Sequence, residues 1–306
     1  MNILHCLDNL NLGGIQEMVY RLFLHSLDHH AWWAADGSFS PELRRAGMVI
    51  WNGGPPREAQ YDICVGHTVG GWSYRDTFLW AKERGMKTVE CMHSNARSPT
   101  PPDLVDAFVA LNHIALHLNP HMARRQVIYG IADVGAARRN AQGSIGRLSR
   151  LVDEKRPQDF LALANRFPSE NFVLAGHGPL YHQISVMASG NLTLLGQVRD
   201  FASFYSGLKL FVFPTRDECC CISVAMAQMA QVPVLCQDIP PLRETTGGHA
   251  QFASTDDQFA RGIETFLDNP QPYWEVADQG WEWAKQNFSP SVVVDQWGAL
   301  CRQLTN

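Results

Sequence analysis

At 306 residues, 45% of them hydrophobic, the chain is long enough for two domains of about 150 residues, each with its own core. A formal net charge of -5 gives no global drive toward nucleic acid or an anionic membrane surface. No apolar run approaches the ~20 residues that cross a bilayer. Met1–Asp8 lacks a basic leader and a cleavage signature, so a folded cytoplasmic protein is expected.

Met1–Leu7 reads as a first strand and Asp8–Leu12 as a polar turn running into Gly13-Gly14. From Ile15 the apolar positions Met18, Val19, Leu22, Phe23 and Leu27 follow helical spacing. Two glycines ahead of a helix permit a ligand to approach the backbone closely. Trp32–Trp51 offers short strands separated by Pro41 and Gly47. Tyr61–His67 is a buried strand, Tyr74–Arg84 a helix, and Lys87–His93 another strand, so two strands end in histidine. A lone histidine there is more often structural than functional. His93 stands out because Ser94–Pro102, which includes Asn95, breaks regular structure at once, as a cleft-facing loop would. Ala107–Leu111 is a short strand, His113–Pro120 a turn or helix start, and Gln126–Asp133 the last strand of this half.

Val134–Ser144 is small and polar and suits a connection between domains. Ile145–Arg150 is a strand feeding a turn that holds Lys155 and Pro157, and Gln158–Arg166 is a helix. A strand from Asn171 runs into Gly176-x-Gly178-Pro179. Leu192–Gly196 is a strand, followed by a loop at Gln197–Asp200. Leu210–Phe213 is a short apolar strand stopped by Pro214, after which come a polar turn with Glu218, a helix at Ile222–Met229 and a strand at Val232–Leu235. In parallel sheets such a loop, at the carboxyl end of a strand, is where ligands sit, and the helix start beyond it attracts phosphate. Cys236–Glu244 reads as a loop; Phe259–Leu267, Tyr273–Asn287 and Pro290–Leu304 are helical, with their tryptophans in packing roles. Strands alternate with helices throughout, which predicts doubly wound parallel sheets. The eight cysteines are expected as reduced thiols. Cys219, Cys220 and Cys221 cannot converge on one tetrahedral zinc without a strained backbone, and no metal or cofactor is expected.

Pro214–Val234 resembles the nucleotide-sugar loop of retaining GT-B glycosyltransferases of family 4, roughly P-[ST]-x-x-E-G-F-G-[LI]-x7-A-x-x-x-G-x-P-V. Pro214, Thr215, Glu218, Ile222, Ala227, Pro233 and Val234 fall in register. Cys219, Cys221 and Gln231 replace glycines, and Met226 replaces the second glutamate of the family's E-x7-E. The Gly-Gly entry, the two strand-end histidines, Gln126–Asp133 and the G-x-G-P turn are similar to that family too. Its G-R-L-x-x-x-K pattern matches in spacing at Ser149-Arg150-Leu151 to Lys155, whereas Gly146-Arg147-Leu148 lies too far from the lysine.

The resemblance implies an α/β GT-B architecture, two Rossmann-like doubly wound domains facing a central cleft. Residues 1–134 would form the acceptor-side domain, 135–287 the nucleotide-sugar domain, and 288–306 a helix returning to the first. It places His93 and Glu218 at the reaction centre. Gly13, Gly14, Arg150, Lys155 and the amides near Ile222 and Ser223 would hold the donor diphosphate. Gly176, Val198 and Met226 would border the nucleotide, with Gln228 as a substitute for the missing ribose carboxylate, and His67 and Asn95 would lie on the acceptor side. The activity implied is metal-independent, retaining transfer from a UDP-sugar, with GDP- and ADP-sugars as alternatives. The acceptor is open: a small molecule, a glycan, a lipid-linked sugar, a protein or a modified DNA base. A rival is a nucleotide-sugar-binding protein of this fold that has lost turnover. An epimerase of the same fold would require acid/base carboxylates that are not identified here.

Overall fold

Short apolar runs that are too brief for helices become parallel strands covered on both faces. The computed structural model describes residues 1–55, 57–69 and 73–306, and the chain forms two compact units, Met1–Ile131 with Pro290–Asn306, and Ala132–Ser289.

The first unit contains β1 (Asn2–Asn9), α1 (Gly14–His25), β2 (His29–Ala35), α2 (Ser40–Arg45), β3 (Val49–Trp51), β4 (Ile63–Thr68), α3 (Arg75–Lys82), β5 (Lys87–Met92), β6 (Ala107–Ala110), α4 (His113–Leu118) and β7 (Arg125–Val127). Its sheet has the order β3-β2-β1-β4-β5-β6-β7, with every pair parallel. The chain winds outward from β1 to β3 and then returns to lay β4 beside β1, which makes the β1/β4 boundary the switch point of this sheet. All six residues of β4 are buried, and Leu4, Cys64, Phe78 and Phe108 meet in the core. Two expectations are corrected. Between Trp32 and Trp51 the chain holds a helix, because Pro41 sits in the first turn of α2, where its fixed φ favours helix and its missing N–H costs nothing. The strand expected at Gln126–Asp133 ends at Val127.

The second unit contains β8 (Ser144–Leu148), α5 (Pro157–Arg166), β9 (Phe172–Ala175), α6 (Tyr181–Met187), β10 (Leu192–Gly196), α7 (Phe201–Ser206), β11 (Leu208–Phe213), α8 (Ile222–Met229), β12 (Val234–Gln237), α9 (Pro240–Thr246), β13 (Gln251–Ala253), α10 (Asp256–Asp268) and α11 (Gln271–Phe288). The parallel sheet order is β10-β9-β8-β11-β12-β13, with its switch point between β8 and β11. Part of the expected loop at Cys236–Glu244 is α9, opened by Pro240 and Pro241, so Glu244 lies within a helix. The last helix, α12 (Pro290–Thr305), belongs to the first unit and packs on α1. No helix among the described residues is long and apolar enough to cross a membrane.

Candidate active site

The switch point of the second sheet brings two loops together. After β8 the chain makes a short 3-10 turn at Asp153–Lys155, and Arg156, in the left-handed region at φ 48°, redirects it into α5. After β11 the loop closes on that turn. The Arg216 N–H donates to Glu154 O at 2.9 Å, and the Thr215 hydroxyl donates to Glu154 O and Asp217 O at 3.2 Å each. Lys155 Nζ is thereby held 2.7 Å from Glu218 Oε1 and 2.9 Å from Asp217 O. An ammonium has three donors, and the third has no partner among the described residues. Glu218 is 9% exposed. Burial pushes its carboxyl above the usual carboxylate range, while Lys155 and then Arg147 pull it back toward the ionised form.

Arg147, on β8, is fully buried. Its guanidinium lies 5.2 Å from the centre of the Phe213 ring and donates to Arg156 O at 3.0 Å and to Ser149 Oγ at 3.2 Å, but one terminal nitrogen has no partner. Burial lowers its pKa to about 9, with the Glu218 charge opposing the fall. The third component is the start of α8. Ile222 N–H is spent on Cys220 O, whereas Ser223 N–H has no partner among the described residues. Tyr205 OH donates to Ser223 O at 2.7 Å and holds that turn in place. A carboxylate–ammonium pair, a buried cation and a free helix-start amide at one switch point have the chemistry to receive an anion that carries hydroxyl groups.

The remaining sequence candidates in this unit lie as follows. Arg150 is exposed and makes no hydrogen bond or ion pair with the described residues. Gly176 adopts φ +126°, and a Cβ there would stand 1.8 Å from Ser149 O; one at Gly178 would stand 2.5 Å from Leu151 O. These glycines let the β9 loop lie against Ser149–Leu151, with Leu151 N–H donating to His177 O at 3.0 Å. Val198 is partly exposed in the loop between β10 and α7, and Met226 is 2% exposed on the buried face of α8. Gln228 is 1% exposed, and its Oε1 has no hydrogen-bond partner among the described residues. Its amide nitrogen donates to Thr246 O and His249 O at 3.1 Å each, so the side chain ties α8 to α9 and the turn beyond it. All eight cysteines are free thiols, Cys221 is buried, and Cys219 and Cys220 are partly buried.

In the first unit, Gly13 caps α1 with extended backbone and Gly14 opens it; a Cβ on Gly14 would meet nothing within 4 Å. His67 lies on β4, and His93 directly follows β5. His67 Nδ1 is 2.9 Å from His93 Nε2, His67 Nε2 is 2.9 Å from His5 Nδ1, and His5 Nε2 is 2.8 Å from His30 Nδ1. Four histidines from neighbouring strands thus form one run. Burial lowers the pKa of His30 to about 4 and of His93 to about 3, and holds His5 and His67 well below the ordinary imidazole value. The loop after His93 is fastened from below. Glu90, fully buried on β5, accepts from Thr68 at 2.7 Å, from Ser98 at 2.7 Å and from Thr100 at 3.2 Å. Asn112 Nδ2 donates to Asn95 Oδ1 at 2.7 Å. The ligand atoms of His67, Cys91 and His93 lie within 4.8 Å of one another, but a metal between the two rings would require breaking the hydrogen bond they share.

Sequence spacing set Arg147 aside and did not reach His5, His30 or Glu90. The signal available for Glu90 is an acid between Val89 and Cys91 in a buried strand, followed by Ser98 and Thr100.

Comparison with known structures identifies the architecture as the GT-B fold, two parallel-sheet α/β domains. HepE of Anabaena, solved with UDP and glucose, matches with a TM-score of 0.80 at 15% identity, over 99% of this chain and 100% of that chain. A glycosyltransferase of Rickettsia africae matches at 0.76 and 11% identity, over 99% and 98% of the two chains. A sucrose-phosphate synthase of Thermosynechococcus elongatus matches at 0.74 and 13% identity, over 99% of each. Within the chain, residues 142–269 match the family model described as glycosyl transferases group 1, and this span contains the Lys155–Glu218 site. No curated protein matches the sequence.

Proposed function

We propose that the protein is a metal-independent, retaining glycosyltransferase that moves a sugar from a nucleoside-diphosphate sugar, in the first instance a UDP-sugar, to an acceptor hydroxyl. The observation that carries this reading is the Lys155–Glu218 pair at the β8/β11 switch point, within the segment that matches the group 1 model. The third N–H of Lys155 and the amide of Ser223 would bind the diphosphate. The buried Arg147 charge would add to the field that stabilises the leaving group as the sugar–phosphate bond breaks. Glu218 would accept a hydrogen bond from a sugar hydroxyl, and His93 would line the reaction centre. Retention needs no separate base if the departing phosphate first takes the acceptor proton. That HepE was solved with UDP and glucose supports uridine as the first base to try.

The test is turnover with a panel of UDP-, GDP- and ADP-sugars, alongside calorimetry with the free nucleotides. The expected result is transfer or slow donor hydrolysis with a UDP-sugar, abolished by Lys155→Ala and by Glu218→Ala. Tight nucleotide binding with no turnover for any acceptor would favour a donor-binding protein. Absence of affinity for every donor would overturn both readings.

A further inference from the structure

In the run His30–His5–His67–His93 every link joins the Nδ1 of one ring to the Nε2 of the next, in the same sense. A neutral imidazole has one N–H and one bare nitrogen. Three consecutive links between neutral rings therefore leave only two arrangements: every ring carries its proton on Nδ1, or every ring carries it on Nε2. Changing one ring requires changing all four. The ring planes are not far from parallel at the first two links, 12° and 28°, with centroids 5.1 and 5.2 Å apart.

The two ends differ. At one end His93 is partly exposed, and its Nδ1 has no partner among the described residues. At the other, His30 Nε2 is a buried nitrogen with no hydrogen-bond partner, and His30 lines a cavity of about 20 Å³ with Ser26, Asp28, Trp297 and Cys301. That volume is enough for one water. The charged and titratable groups near this end are Asp28, the Met1 ammonium paired with it at 2.9 Å, His29 and the Cys301 thiol. A purely structural histidine pair would not need an unpaired buried nitrogen on a ring that borders a cavity, at the far end of a four-ring file.

We propose that the four histidines are a proton relay leading from the reaction centre at His93 to the cavity beside Asp28. The entry point, the source of the proton and the direction of flow rest on the transferase reading. Joining an acceptor hydroxyl to the sugar breaks the O–H bond and the sugar–phosphate bond and forms the glycosidic bond. The proton freed goes first to the departing phosphate, which holds it weakly near neutral pH. With His93 lining the reaction centre, as proposed above, His93 Nδ1 accepts that proton. His93 then gives its Nε2 proton to His67 Nδ1, His67 gives its own to His5, and His5 to His30. His30 releases the Nε2 proton to water or to the Asp28 carboxylate. All four rings end as the other tautomer with no net charge gained; once the products have left, a proton entering at His30 Nε2 and one leaving His93 Nδ1 to solvent reset them.

The first test uses nitrogen-15 spectra of the histidine rings in the intact protein. All four rings should show the same tautomer, and exchange of the His5 ring proton with water should slow at least about tenfold in His67→Gln, which can hydrogen-bond on both sides but cannot shift a proton. Mixed tautomers, or unchanged exchange at His5, would overturn the relay whether or not the protein transfers sugar. The second test is kinetic. In His5→Gln and His5→Phe, kcat should fall at least about tenfold with donor KM unchanged, in line with the loss of a proton-transfer group. Full kcat in His5→Gln would mean that His5 only positions its neighbours. Absence of transfer in the wild type together with matched tautomers and slowed exchange would remove the transferase reading and leave the relay standing.

Discussion

Lys155 Nζ and Glu218 Oε1 lie 2.7 Å apart although 63 residues separate them in the chain, and both side chains are largely buried. Removing either partner alone takes from the other its direct ion-pair partner in a site with little water. Lys155→Met is expected to destabilise the protein by about 2–3 kcal/mol, and the double variant with Glu218→Gln to recover most of that, because the cost lies in the uncompensated charge. Urea unfolding of the four proteins of the cycle measures it. Sugar transfer should be lost in all three variants, so stability and activity part company in the double mutant.

The histidine run sets an acid limit. Each ring has a folded pKa below its unfolded value of about 6.5, so the unfolded chain binds more protons than the folded one in the window below it. Stability is therefore full above about pH 6.5 and is lost as pH falls toward about 4, the value for His30. One such ring contributes up to about 1.4 kcal/mol per pH unit within its window. His30→Phe should reduce the slope of unfolding free energy against pH between 4.5 and 6 by roughly that amount, which urea titrations at several pH values would detect. An unchanged slope would place the acid sensitivity elsewhere.

The glycines divide by cause. At Gly176 a Cβ would collide with Ser149 O at 1.8 Å in a left-handed conformation, so Gly176→Ala should cost several kcal/mol, on the order of 3 or more, or prevent folding. Gly14 has open space around it at the first position of α1. Gly14→Ala should leave the melting temperature within a degree or two, so any loss of turnover would report close approach of a ligand to that backbone.

Met226→Glu, which puts a glutamate where the family this loop resembles has its second one, should not improve nucleotide binding. Met226 is 2% exposed, and a carboxylate there would be buried without a partner, at a cost of about 3 kcal/mol or more. The expected outcome is a lower melting temperature with no gain in nucleotide affinity. A stable variant that binds more tightly would mean that α8 can turn this position toward the site.

What could be read in the sequence was local. The strand–helix alternation, the loop after Phe213 and the strand-end histidines all express themselves within windows of ten or so residues. Spacing to Lys155 pointed to Arg150, yet burial separates the two arginines. Arg147 points into the interior beside Phe213, while Arg150 sits on the surface. No local pattern reveals that His5 meets His30 and His67, because those contacts depend on the strand order β2-β1-β4, set by a crossover. Pro240 and Pro241 looked like loop residues because proline stops a helix from within, but at the first turn of α9 it starts one.

The first unit is assembled from two separated stretches of chain, with Pro290–Asn306 supplying the helix that covers α1. During synthesis, Met1–Ile131 emerges well before its cover exists, and all of Ala132–Ser289 is translated in between. The second unit, being continuous, needs no later segment to complete its fold. The first must wait with one flank of α1 bare until α12 is made, and that interval is when a chaperone would have most to protect.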